Sequence, residues 1–162
     1  MEQTTATTNV IRAAVEAGIP AMAAQHAEWM RAQIARFSAL PRREQINLSG
    51  ARSCEGGAYR AVRGFMGCDD AALLRYATRI ATESAEETIA KLIKKLGTLA
   101  EAEITDHGGG QFTLVGRLGT HRVCVEQQRV FKFSSKGTPF NQWPARIYVD
   151  GKFTPEAAFA KL

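Results

Sequence analysis

Residues 101–133 read EAEITDHGGGQFTLVGRLGTHRVCVEQQRVFKF, and the spacing of apolar residues in this stretch decides the fold class. Up to Gly97 apolar side chains recur every three or four positions. Beyond it they alternate, and β-branched and aromatic types take over, as in strands. The spacing predicts strands at about 101–106, 111–118, 121–133 and 144–150, with turns at Gly108–Gly110, Gly119–Thr120 and Ser134–Thr138. Links this short imply an antiparallel meander. On the third strand Val123, Val125, Phe131 and Phe133 fall on one face, and Arg122, Glu126, Gln128 and Lys132 on the other. On the fourth, Ala145, Ile147 and Val149 oppose Arg146 and Tyr148.

Working outward, the first two thirds read as helix. Asn9 is placed to cap a short helix over Val10–Ala17, ended by Gly18 and Pro20. From Ala21 to Phe37 the positions Met22, His26, Trp29, Met30, Ile34 and Phe37 form a stripe at helical spacing. Pro41 suits the first turn of a short helix through Glu44 and Ile46. Ser49–Gly57 breaks the pattern, which resumes over Ala58–Met66 and stops at Gly67. Asp69–Leu96 is the clearest element: Leu73, Tyr76, Ala77, Ile80, Ile89, Leu92, Ile93 and Leu96 line one side. Asp69 can cap it, and Lys91, Lys94 and Lys95 suit its negative end. The polar run Thr82–Glu87 reads as a kink or a second start at Ser84. Thr154-Pro155-Glu156 opens a terminal helix over Pro155–Lys161, with Phe159 on the sheet. The expected fold is therefore α+β: helices over about 10–97 packed on a C-terminal antiparallel β-meander of three to four strands, followed by a short C-terminal helix.

A chain of 162 residues that is 45% hydrophobic can bury a sizeable core. Its length fits a single domain over residues 9–162, with 1–8 a flexible, Thr-rich lead. That lead lacks the apolar core of a secretory signal, and no run of eighteen apolar residues follows, so the reading is an intracellular, cytoplasmic protein without a membrane partner. Cys54, Cys68 and Cys124 are odd in number and widely spaced, which fits reduced thiols.

The formal charge of +5 is uneven along the sequence. Residues 1–104 sum to +1. Residues 105–152 sum to +4, from Arg117, Arg122, Arg129, Lys132, Lys136, Arg146 and Lys152 against Asp106, Glu126 and Asp150. A second basic run holds Arg31, Arg36, Arg42, Arg43, Arg52, Arg60 and Arg63 against Glu44 and Glu55. Fields of this kind attract polyanions such as nucleic acid or an acidic protein face.

Motifs for other chemistry are weak. Gly108-Gly109-Gly110 lacks the lysine and Ser/Thr of a phosphate-binding loop and precedes a strand, so it reads as a hairpin turn. His121 and Cys124, three apart on a strand, point to opposite faces and cannot share an ion without a bulge. A metal site assembled from Cys54, Cys68, His107, His121 and Cys124 finds no C-x-x-C pair in support. Ser53-Cys54-Glu55-Gly56-Gly57 sets a thiol and a carboxylate near a helix start, but a tight linker explains its glycines equally well. His26 on an apolar stripe reads as a packed histidine. No catalytic residue, cofactor or metal ligand is assigned.

What remains is the aromatic and basic segment Phe131–Tyr148. Phe131 and Phe133 share a side with the valines and belong to the core, which narrows the contact set to Arg122, Lys132, Lys136, Phe140, Trp143, Arg146 and Tyr148. Rings of this kind stack bases while Lys and Arg neutralise phosphates. The expected function is a small non-enzymatic binding protein that takes nucleic acid on a basic sheet face and loop. The alternative is an interaction or inhibitor module docking on an acidic or nucleic-acid-handling protein. A second alternative is an enzyme of unidentified type using Cys54 or His121. The stripe from Leu73 to Leu96 also suits a homo-oligomer.

Overall fold

The computed structural model describes the backbone of residues 2–133, 139–142 and 144–162, and the side chains of 5–129 and 144–162. Among the described residues the helices are α1 (Glu2–Glu16), α2 (Ile19–Ser38), α3 (Arg42–Gly50), α4 (Cys54–Val62), α5 (Asp70–Leu96) and α6 (Glu156–Phe159), with a 3-10 turn at Arg63–Phe65. The strands among them are β1 (Ala100–Gly108), β2 (Gln111–Leu118), β3 (His121–Gln127), β4 (Val130–Phe133), β5 (Pro139–Gln142), β6 (Ala145–Val149) and β7 (Lys152–Phe153). Helices followed by an antiparallel sheet and a short terminal helix are the α+β order expected from the switch in apolar period at Gly97.

The chain divides into two compact units that interleave in sequence. The first comprises Met1–Pro20, Thr82–Val130 and Trp143–Leu162; the second comprises Ala21–Ala81 and Phe131–Gln142. Helix α5 contributes Asp70–Ala81 to the second and Thr82–Leu96 to the first.

In the first unit the sheet order is β1-β2-β3-β6-β7, with every adjacent pair antiparallel. Phe112, Leu114, Val123, Val125 and Ile147 alternate onto one face and are buried. Helix α1 packs on β1 and β2, burying Thr7, Ile11, Ala14 and Val15. That i, i+4, i+7, i+8 stripe explains why α1 begins at Glu2 and not at Asn9: packing carries the helix through a Thr-rich start that propensity alone disfavours. Arg12 ties α1 to α5 through Glu86 at 2.7 Å. At the other end of α5, Lys95 pairs with Glu156 of α6, and Phe159 is buried.

Helix α5 runs unbroken through Thr82–Glu87. Leu73, Ala77, Ala81, Ala85, Ile89, Leu92 and Leu96 are all buried, so the apolar stripe passes the polar run on alanines and needs no restart. Asp69 caps it as expected, its Oδ1 accepting from Ala72 N at 2.8 Å.

The third strand departs from expectation. It stops at Gln127, and β4 and β5 form a separate two-stranded sheet. Gln127 is only 2% exposed; its Nε2 donates to the carbonyls of Gln128 and Pro144, where Gln128 N also donates to Pro144 O at 2.9 Å. The ladder ends with these bonds, and the side chains of Phe131 and Phe133, expected on the face of Val123 and Val125, lie outside the described residues.

In the second unit, α4 begins at Cys54, ahead of the expected Ala58. Ser53 is its N-cap, accepting from Gly56 N at 3.1 Å. Gly56 is required by close approach: a Cβ there would collide with the carbonyl oxygen of Ala51 and lie 2.9 Å from Ala51 Cβ. Gly56→Ala should therefore destabilise the protein by about 2 kcal/mol despite the better helix propensity of alanine. A urea midpoint at or above that of the parent chain would show that the link yields.

His26 is 5% exposed on α2, edge-on to Tyr76 of α5 with ring centroids 5.9 Å apart. Burial pushes its pKa below the ordinary histidine value. In the unfolded chain the ring binds a proton near pH 6.5, whereas the fold holds it neutral. Stability should then be level above about pH 6.5 and fall on acidification, by at most about 1.4 kcal/mol per pH unit. Denaturant unfolding at pH 7.5 and 5.5 checks this. His26→Phe should flatten the difference, and an unchanged slope in that variant would assign the loss to other groups.

Candidate nucleic-acid interface

The register of the five-stranded sheet sets its second, outward face in rows. Thr113, Glu126 and Arg146 stand across from one another, as do Val115, Cys124, Tyr148 and Phe153 in the next row. Arg117 and Arg122 make the third. Tyr148 and Phe153 meet edge-on with centroids 6.1 Å apart, and Phe153 is 62% exposed. That pair is made by Asp150-Gly151, both at positive φ (50° and 79°), as a two-residue hairpin turn requires. The Asp-Gly signal lies open in the sequence, yet the pattern reading stops its last strand at Asp150 and misses β7 and Phe153.

Asp150 also closes this end of the sheet. Its Oδ2 lies 2.7 Å from His121 Nδ1, and its Oδ1 accepts from Arg122 N at 2.9 Å. The hydrogen bond from His121, then that from the Arg122 backbone, holds its carboxyl below the usual carboxylate range. His121 is thus engaged at the sheet end while Cys124 points from the outward face. Among the described residues, no three His, Cys, Asp or Glu side chains converge as metal ligands.

The seven sequence-derived contact residues divide between the units. Arg122, Arg146 and Tyr148 share the outward sheet face. Lys132 and Phe140 lie on β4 and β5, but their side chains are outside the described residues, as are Lys136 and Trp143 entirely. On the sheet face Arg117, Arg122 and Arg146 stand with Glu103, Glu126 and Asp150, so charge there is balanced. Arg129 is turned onto the β1–β2 hairpin, its Nε donating to Gly109 O at 2.9 Å.

Counted by compact unit, the charge falls elsewhere than a linear window suggests. The first unit, sheet included, sums to −1 and the second to +6. Residues 21–81 hold nine arginines, no lysine and five carboxylates. Arg31 is paired with Asp70 at 2.8 Å and Arg36 with Glu55 at 2.7 Å. Arg60 donates to the carbonyls of Leu48, Ser49 and Ala51. Arg42, Arg43, Arg52 and Arg63 are exposed and, among the described residues, form no ion pair within 4 Å. No family model, curated protein or solved structure matches this chain, and among the described residues no helix is long and apolar enough to cross a membrane.

Proposed function

We propose that this chain is a small, non-enzymatic nucleic-acid-binding protein of the cytoplasm, and that its contact surface is the arginine-rich second unit together with the Lys132, Lys136 and Phe140 segment. The observation that carries the reading is the +6 on that unit, of which residues 21–81 supply +4 with arginine as their sole basic residue and Lys132 and Lys136 supply the rest. Guanidinium matches phosphate oxygens with two parallel hydrogen bonds, which an ammonium does not. The odd number and wide spacing of Cys54, Cys68 and Cys124 support a reducing compartment. The test is fluorescence anisotropy of a labelled oligonucleotide from 50 to 200 mM salt. Affinity should fall at least about tenfold over that range as counterion release weakens. Absent or salt-insensitive binding sinks the reading.

A second reading rests on the outward sheet face, where balanced charge and the exposed Phe153 beside Tyr148 suit a protein partner better than a polyanion. There the chain acts as an interaction module docking on a nucleic-acid-handling protein. Phe153→Asp with Arg146→Glu should then abolish capture of that partner and leave oligonucleotide affinity unchanged.

A further inference from the structure

We infer that α3 is the element of the second unit that contacts nucleic acid, and that its ligand is the phosphate backbone of a duplex. This rests on the nucleic-acid reading above and narrows it. Helix α3 has no buried residue, so core burial does not account for its position. Two polar clamps hold it. Gln45 Nε2 donates to the carbonyls of Phe37 (3.1 Å) and Leu40 (3.0 Å) at one end. Arg60 Nη1 donates to the carbonyls of Leu48, Ser49 and Ala51 at the other. A helix fixed in this way is placed rigidly while its far side stays open.

At about 100° per residue, Arg42, Arg43 and Ile46 span that far side, all exposed, with Ile46 at 61% and Asn47 at its edge toward the flank. Glu44 lies about 200° round from Arg42, where it lines a groove of about 280 Å³ with Asn47, Leu48 and Glu55. The carboxylates thus sit on the flank and the guanidiniums on the crown. Arg42 and Arg43 also occupy the first turn, where the helix dipole disfavours cations. Local energetics therefore do not explain them, whereas an anionic ligand does. The crown carries two phosphate-matching groups, an amide and an aliphatic side chain but no aromatic ring, so it offers no stacking platform for unpaired bases. A rigid run of donors suits the regular phosphate spacing of a duplex.

The experiment compares the full chain with Arg42→Gln/Arg43→Gln on a random-sequence 20-base-pair duplex and on one of its single strands, by anisotropy at several salt concentrations. Lys91→Gln, which removes a first-unit charge already paired with Glu87, is the control. The parent chain should prefer the duplex. The double variant, whose changed side chains touch no core and whose melting should match the parent, should lose about tenfold or more in duplex affinity, with its salt slope reduced by about two. Lys91→Gln should change little. If the parent binds nucleic acid and the double variant keeps its affinity and slope, α3 is not the contact element. Preference for the single strand overturns the duplex assignment. If the parent binds neither probe, the nucleic-acid reading itself fails.

Discussion

Gln127→Glu should cost about 4 kcal/mol at pH 7, and most of that loss should disappear on acidification. Gln127 is 2% exposed, its Nε2 donates to two carbonyl oxygens, and its Oε1 is buried with no hydrogen-bond partner among the described residues. Replacing the amide nitrogen by oxygen turns two hydrogen bonds into two oxygen-oxygen repulsions and brings a charge into a buried site. The fold therefore favours the protonated acid, which raises the folded pKa above the unfolded value of about 4.3. With the folded chain binding more protons than the unfolded one, stability falls as pH rises through that window. Below about pH 4 both states are protonated, and the deficit should shrink to about 1 kcal/mol for the one donor lost. Urea unfolding at pH 7 and pH 3.5 reads both values. A variant as stable as the parent at pH 7 would mean that water reaches this corner. Gln127→Met, which removes the orphan oxygen with the donor, should lie between the two.

That corner is also where a periodicity reading of the sequence runs out. Alternation from Val123 to Phe133 is continuous enough to suggest one long strand, and nothing in residue type at Gln128-Arg129 says stop. The break is made by bonds to Pro144, which lies sixteen positions beyond Gln128 and so outside any local window. Where the determining physics is local, the sequence is readable. The change of period after Gly97, the Asp69 cap, the glycine turn between β1 and β2 and the proline start of α6 all sit where side-chain type puts them. Helix α1 is longer than its propensity allows because β1 and β2 cover Ile11 and Val15, a tertiary cause.

The same limit governs the charge. A window ending at residue 104 adds Glu83, Glu86, Glu87, Glu101 and Glu103 to the arginines of 21–81 and returns a value near neutral. In the structure those carboxylates belong to the sheet-bearing unit. Separating them exposes the arginine excess on α2–α5 and cancels the apparent excess on the strands. Arg122, Arg146 and Tyr148 do share one face, as alternation requires, but alternation cannot show that Glu126 stands directly across from Arg146. Cross-strand partners are set by register, and the β3–β6 register is flanked by bonds between residues distant in sequence, Gln128 N to Pro144 O and Asp150 N to Arg122 O.

Phe37→Ala should be the most destabilising single truncation in the second unit, at about 4–5 kcal/mol. The side chain is fully buried and meets Tyr59 of α4 nearly perpendicular, at 89° with centroids 5.4 Å apart. Arg36 places its guanidinium 5.2 Å from the same ring. Deleting a buried phenylalanine removes its transfer energy and leaves a cavity, together about 3–5 kcal/mol, and the lost edge-to-face pair adds about 0.5–1.5 kcal/mol. Phe37→Leu keeps most of the volume and should cost about 1–2 kcal/mol. Phe153→Ala, at 62% exposure, should stay within about 0.5 kcal/mol of the parent. Denaturant midpoints of the three variants give the order directly, and a loss below about 1.5 kcal/mol for Phe37→Ala would mean that α2 and α4 close over the gap. The Phe37 carbonyl is also one of the two acceptors that Gln45 uses to clamp α3. A variant that loosens the end of α2 should therefore weaken duplex binding at temperatures where the chain is still folded, which ties the packing of this ring to the placement of Arg42 and Arg43.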